Sequence, residues 1–349
     1  MTPASTAPHR RLDPRRAALA GMLGLIAVLC LLTGATASYW PDSGFLGTFG
    51  RMCDSLAPQL LGGGLLLALG LALLGVWQLA MVLAVLALAA GGTLARDYVS
   101  LSAPAGDTAA EGLTVIWFNL FAENTTPAAQ IADAILSSGA DLVVLAEAAP
   151  FLPALPRLAD RYPYRLGCTD KVCSTLVLSR LPFGPDSAGM IAATRPGRIA
   201  AFQLAPDGRA PLTVVAAHLT KPWYYGFYDV DLWHLMDQSR KAAGPLLVMG
   251  DFNTAPWSHP MQRIIAATGL RLPHRPVATW PAAAGPLGVP LDHMLVGGGA
   301  ALTGLAPWGG DLGSNHRGLT TRVVWPTNPE TGSFLKDGPV LHSAALPPT

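Results

Sequence analysis

Polar side chains close or open several of the apolar runs in this 349-residue chain. Asn119 closes VIWFN, Glu147 closes VVLAE, His218 closes VVAAH, and Asp251 and Asn253 close LLVMGDFN. Asp292 and His293 open a run at LDHML, and Asn315 and His316 stand in GSNHRG just ahead of the last one. Side chains two residues apart on an extended chain point the same way, so Asp251 and Asn253 can face one cleft at a strand's end. There they either do chemistry or cap a loop. One acid at a strand end is more often a cap. A series of acids, amides and imidazoles, each ending a different apolar strand, is harder to account for, because such groups cost free energy when buried unpaired. Their joint placement points to one polar site.

The elements that must carry them alternate between strand and helix patterns. Residues 113–120, 141–148, 174–180, 198–205, 212–220 and 246–253 read as strands. Residues 291–298 and 318–326 read as a further pair of strands, paired with each other. Helices are predicted over 126–139, with Thr126 as cap and Gly139 as stop, and over 229–244 and 259–268. Many β-rich runs with few helices between them predict an α+β fold. The expected arrangement is a four-layer α/β/β/α sandwich, two packed mixed sheets flanked by helices, preceded by N-terminal transmembrane helices.

Over residues 113–326 the chain resembles the endonuclease/exonuclease/phosphatase superfamily of metal-dependent phosphoesterases. The resemblance rests on FN of VIWFNL, Glu of VVLAEA, His of AAHLT, GDFN, LDHML and SNHRG, in the family's order. GDFN with a downstream Ser-x-His-Arg is its specific part. It implies that Glu147 holds Mg²⁺ or Mn²⁺, with Asn119 as ligand or ligand support and Asn315 as an oxygen donor. Carboxylate, amide and water oxygens suit such hard cations. It also implies that Asp251 orients and deprotonates the attacking water, with Asn253 fixing the water or the phosphate. Asp292 would fix the tautomer of His316, and His316 and His218 would face the phosphate. One position departs from the family, where the residue before the last His is usually Asp. Asn315 brings no charge, which predicts weaker metal affinity or a one-metal mode. His293 reads as structural, where relatives carry an aromatic.

Composition divides the chain. Hydrophobic residues make up 51% and charged residues 13%, and the apolar excess lies before residue 98. The formal net charge of +1 argues against a dominant nucleic-acid or acidic-membrane steering field. After His9, Arg10, Arg11, Arg15 and Arg16 comes the uncharged stretch 17–40, and 60–95 is uncharged again. These lengths predict a membrane anchor over 1–98 with about three spans, at 17–38, 58–75 and 78–95. Gly75-Val76-Trp77-Gln78 suits the hairpin turn, and Gly62, Gly63, Gly64, Gly70 and Gly75 offer small faces for helix contact. Ala35-Thr36-Ala37 also has the form of a signal cleavage site, so the first span is either retained or removed. Either way a cytoplasmic basic N-terminus puts everything after Arg96 on the periplasmic or extracellular side of an inner or plasma membrane. Residues 99–112 read as a linker and 327–349 as a disordered tail.

Cys168 and Cys173 are spaced to bridge in a short loop, as an exported domain allows, with a metal pair as the alternative. Cys30 and Cys53 read as plain residues, the latter in a loop. KPWYYGFYDVDLW, residues 221–233, either stacks bases or covers a lipid headgroup, or packs its rings on the sheet or at a membrane interface. Arg195 and Arg198 are further candidates for phosphate contact. Two classes of function follow. One is a membrane-anchored metal-dependent phosphodiesterase of nuclease type, acting on a phosphate ester such as nucleic acid or a phospholipid headgroup. The other is a non-catalytic receptor or interaction domain on the same scaffold.

Overall fold

The structure is a computed structural model that describes residues 13–326, apart from 169–172, 186, 207–208 and 225. The tail expected from 327 and the basic residues up to 12 lie outside the described residues. The chain divides into two compact units, residues 1–100 with 257–259 and the remainder.

The first unit is helical: α1 Pro14–Thr36, α2 Gly44–Ser55, α3 Ala57–Leu73 and α4 Trp77–Leu101. Two helices, Pro14–Tyr39 with its terminal 3-10 turn and α4, are long and apolar enough to cross a membrane. α2 and α3 meet at 71° and make a third candidate only if taken together as one broken span. Large apolar side chains face outward, among them Leu25, Leu29 and Leu32 on α1 and Met81, Val85 and Leu88 on α4. A helix apolar on its outer side suits a lipid surrounding. Of the predicted small-residue contacts, Gly64 makes the closest, since a Cβ there would come within 2.6 Å of Leu31 on α1. Gly75, at φ +87°, turns the chain between α3 and α4. α2 was not foreseen. Its Gly44, Gly47 and Gly50 are poor helix formers, and its sequence alone reads as loop.

In the second unit the strands in chain order are β1 Gly112–Asn119, β2 Leu142–Ala146, β3 Tyr164–Leu166, β4 Thr175–Ser179, β5 Gly189–Ile191 and β6 Ile199–Leu204. They continue with β7 Leu212–His218, β8 Leu246–Asp251, β9 Asp292–Gly297, β10 Ala301–Trp308 and β11 Gly318–Val324. The helices are α5 Ala128–Ser138, α6 Phe227–Lys241 and α7 His259–Thr268. One sheet has six strands in the order β10-β11-β1-β2-β4-β3, the other five in the order β5-β6-β7-β8-β9. β1 with β2 and β7 with β8 run parallel, and the other neighbours antiparallel, so both sheets are mixed.

The predicted strands and helices are present within a few residues, with two corrections of detail. The strands near the end do not pair with each other: β9 lies on β8, and β11 lies between β1 and β10. β10, unforeseen because Gly304 and Pro307 interrupt its apolar pattern, is the true hairpin partner of β11. α5 begins after Pro127 without a side-chain cap, so Thr126 does not cap it, while Gly139 ends it in the left-handed conformation as expected.

Strands buried on both faces explain the continuous apolar runs. Val115, Trp117, Leu142 and Val144 point between the sheets and meet Phe202, Val214, Leu247, Met249 and Met294 of the other sheet. Ile116, Phe118, Val143 and Leu145 point the other way, onto Ile131 and Ile135 of α5. On the outside of the second sheet, α6 packs on β6 and β7.

Gly250 shows why the GDFN run needs its glycine. A Cβ there would sit on the carbonyl of Ala217 in β7, a backbone atom that cannot move aside. Gly250→Ala is therefore expected to lower stability by about 3 kcal/mol, measured by urea unfolding, as overpacking against backbone does. Gly189→Ala, whose added carbon meets nothing within 4 Å, is the control. It should cost less than about 1 kcal/mol.

Candidate active site

Strand register builds the site. His218 on β7 lies opposite Asp251 on β8, and Asp251 opposite Asp292 on β9, so three polar residues form one row across the five-stranded sheet. In the other sheet Asn119 lies opposite Ala146, one residue before Glu147. Asn119 then bridges the sheets, its Nδ2 donating to Asp251 Oδ2 at 3.0 Å.

Asp292 is buried, and both its oxygens are engaged. The indole Nε1 of Trp117 donates to Oδ1 at 2.7 Å, and Oδ2 lies 2.8 Å from His316 Nδ1. The other ring nitrogen of His316 reaches to within 3.8 Å of Asp251 Oδ2. Ser314 holds this loop in place, donating to the carbonyl of Asn119 at 2.6 Å and accepting from the main-chain N–H of His316 at 3.0 Å. Burial works against a charged His316, but the charges of Asp292 and Asp251 outweigh it and push the imidazole up to about 9. Burial also pushes Asp251 up, to about 7, with the neighbouring Asp292 charge adding to it and His316 opposing. Asp292 goes the other way: burial would raise it, but His316 and the donated hydrogen bonds hold it below the usual carboxylate range.

Glu147 and His218 form the other side. Glu147 takes a left-handed conformation at φ +51°, and its Oε2 accepts from the main-chain N–H of Ala122 at 2.7 Å. His218 Nε2 lies 3.6 Å from Glu147 Oε1, and its Nδ1 lies 3.2 Å from Ser174 Oγ. Burial, followed by the nearby Arg198 charge, drives His218 down to about 3, so its ring is neutral.

Asp251, Asp292 and His316 place possible ligand atoms within 4.8 Å of one another. Asp292 has spent both oxygens on donors, which makes it an acceptor that orients His316 rather than a metal ligand. Glu147 is partly open to solvent, and among the described residues Asn119 Oδ1 accepts from the N–H of Phe121 alone. The carboxylate of Glu147 and the amide oxygen of Asn119 are the donor types that a divalent hard cation takes. Asn315 is exposed; its carbonyl accepts from Ala282, and its side chain makes no hydrogen bond among the described residues.

Asn253 does not reach the site by extended i, i+2 spacing. The chain turns at φ +51° there, its N–H bonds back to Asp251 Oδ1 at 2.9 Å, and its Nδ2 donates to the carbonyl of Leu219. His293 is structural, with Nε2 2.7 Å from the carbonyl of Thr254 and its ring beside Phe252. Cys168 and Cys173 form the disulfide. Four residues escaped the sequence reading. Trp117 sits inside an apolar run, and Ser174 and Ser314 look like loop serines. Asp231 on α6 is fully buried and accepts from the N–H and hydroxyl of both Thr194 and Thr220, at 2.6–3.1 Å.

A profile of the Endonuclease/Exonuclease/phosphatase family matches residues 116–316. The chain is similar to TDP2 of D. rerio, solved with single strand DNA product, at 16% identity over 61% of this chain and 99% of that one, with a TM-score of 0.51. It is similar too to an endonuclease/exonuclease/phosphatase from Beutenbergia cavernae DSM 12333, at 19% identity over 61% and 71% of the chains and a TM-score of 0.48. Sphingomyelinase C from Streptomyces griseocarneus matches at 20% identity over 61% and 99%, with a TM-score of 0.44. No curated protein matches the chain. At such identities the likeness to solved structures concerns the fold.

His293 yields a pH prediction. Burial holds it down at about 4, against the pull of its bond to Thr254 and the charge of Asp292. An unfolded histidine takes its proton near ~6.5. The unfolded state thus gains a proton first as pH falls, and stability present above ~6.5 is lost progressively down to about 4, by about 3 kcal/mol in all. In His293→Phe that contribution is gone. The difference in urea-unfolding free energy between wild type and variant should therefore shift towards the variant between pH 7 and pH 4.5; an unchanged difference would contradict the assignment.

Proposed function

The chain belongs to the endonuclease/exonuclease/phosphatase family, and from that premise we propose that it hydrolyses phosphate diesters with a divalent cation, Mg²⁺ or Mn²⁺. The observation that carries this reading is the row His218–Asp251–Asp292, with Asn119 hydrogen-bonded to Asp251 and His316 to Asp292. Each group has a task that its surroundings suit. Asp251, pushed up to about 7, can take a proton from water at neutral pH. Asn119 and the N–H of Asn253 fix the direction of its two oxygens. His316, kept cationic and oriented by Asp292, faces developing negative charge with its second ring nitrogen. His218, neutral and placed by Ser174, is a second imidazole for the phosphate.

Glu147 with Asn119, joined by Asn315, would hold the cation, which acts when bound as a Lewis acid on a phosphoryl oxygen. In the reaction the oxygen of water bonds to phosphorus, one ester P–O bond breaks, and the proton taken by Asp251 is returned to the leaving oxygen. A phosphate monoester and an alcohol result. The helices of the first unit support a membrane anchor, and the arginines ahead of α1 and in its first turn favour a cytoplasmic N-terminus. The Cys168–Cys173 disulfide fits a domain on the periplasmic or extracellular side.

The test is hydrolysis of bis(p-nitrophenyl) phosphate by the full chain in detergent, with Mg²⁺ or Mn²⁺ and with EDTA. Turnover should need the cation and fall by about 10³-fold in Asp251→Ala and about 10²-fold in His316→Ala, as loss of a positioned base or charge stabiliser does. Asn315→Asp should lower the cation concentration for half-maximal turnover, because a carboxylate adds charge to the ligand set. A folded chain without turnover on any diester or monoester, and without cation binding, would favour the receptor reading, with Asn315 as the point of decay.

A further inference from the structure

Nine large hydrophobic side chains are exposed among the described residues after 102, and five of them fall within 223–233. They are Trp223, Tyr224, Phe227, Val230 and Trp233, each 45–58% exposed. Phe227, Val230 and Trp233 form an outward stripe on α6, whose other face buries Tyr228, Leu232 and Leu235. These rings therefore do not pack on the sheet. A patch so concentrated marks a surface that something covers.

The stripe runs into the active site. A cavity of about 350 Å³ is lined by Tyr224 and Phe227 together with Glu147, His218, Arg195, Arg198 and Lys221. Its lining sets three cations against one carboxylate, with no ion pair among the described residues, although the buried Asp231 and Asp251 charges also act on Arg198. Arg198 donates from Nη1 to the carbonyl of His218 at 2.7 Å, while its buried Nε has no partner. Such a set is stabilised by an anionic group entering beside the reacting centre. Asp231 ties α6 to the cavity, holding Thr194, beside Arg195, and Thr220, beside Lys221. Tyr228 also ties α6 to the catalytic turn, through the carbonyl of Phe252 at 3.4 Å.

We propose that the substrate is a phospholipid headgroup diester met at a bilayer surface, where the α6 stripe docks while the cation-lined cavity receives the headgroup phosphate. This rests on the phosphodiesterase reading above. Aromatic residues flanked by a lysine settle at lipid interfaces, and the same chain carries two helices able to cross a membrane. A single-stranded nucleic acid fits less well, because its backbone needs cations along a groove rather than around one cavity, and Val230 offers bases nothing to stack on.

The test uses the full chain, with Cys30 and Cys53 replaced by Ala, in nanodiscs of phosphatidylcholine and phosphatidylglycerol. A nitrobenzoxadiazole probe on Val230→Cys should shift to the blue and be quenched by nitroxide lipid. The same probe on Leu136→Cys, on α5 at the opposite outer layer, should not. A probe at 230 that behaves like the one at 136 overturns the docking, and this readout needs no turnover, so it stands apart from failure of the phosphodiesterase reading. Trp223→Ala with Trp233→Ala should lower turnover of phosphatidylglycerol in the nanodisc by about tenfold, the effect of lost interfacial area, and leave a soluble chromogenic diester within about twofold. Equal loss on both substrates, loss confined to single-stranded DNA, or a quenched probe with no turnover of lipid diester overturns the substrate assignment.

Discussion

Asp251 and Asp292 face each other across adjacent strands, both buried, with possible ligand atoms no more than 4.8 Å apart. At that separation two carboxylates repel by on the order of 3 kcal/mol at an effective dielectric constant of ~20. The same arithmetic makes the attraction between His316 and Asp292, at 2.8 Å, on the order of 6 kcal/mol, so the imidazolium wins and the set holds together as a charged unit. The surroundings follow from this need. Trp117 comes from the opposite sheet to cover the second oxygen of Asp292, and Asn119 comes from the same strand to cover Asp251. Ser314 fixes the loop that brings His316. Remove the cation and two buried like charges remain, which the fold could tolerate only by protonating one.

The two sheets therefore do more than enclose an apolar core. β1 carries Trp117 into the core and Asn119 to the site two residues later, so one strand both fills the sandwich and joins its polar edge to the other sheet. The close approach of β8 to β7 at Gly250 sets the residues that follow, where the chain turns and Asn253 closes on Asp251. α6 extends this order outward, with Asp231 inside, the exposed stripe outside, and Arg195, Arg198 and Lys221 along the cavity between. The proposed docking stripe, the cavity and the polar row are tied to one another by hydrogen bonds.

Much of this was legible in the sequence, for a physical reason. Asn119, Glu147, His218, Asp251, Asp292 and His316 each interrupt or adjoin an apolar run, and burial makes such residues conspicuous. Of the pairings across space, only Asp292 with His316 was legible, and that from the family resemblance. Trp117 and Asp292 are 175 residues apart, and an indole in an apolar run carries no sign of its partner. Asp231 lies in a helix rich in charge and rings, where a solvent-facing acid is the default reading. The pairing of β9 with β11 failed because β10 hides behind Gly304 and Pro307. Asn253 reached the site by a turn rather than by extended spacing, a conformation that the residue type permits and the sequence pattern does not announce.

The most direct test of this account is the charge of His316 itself, read by nitrogen-15 NMR of histidine-labelled full chain in detergent, free of divalent cations. His316 should show an imidazolium at pH 7.5 that titrates near pH 9, and the Asp292→Asn variant should show it neutral at the same pH. A neutral His316 at pH 7.5 in the wild-type chain would mean that no cation holds the two aspartates together, and the charged unit at the centre of the site would not exist.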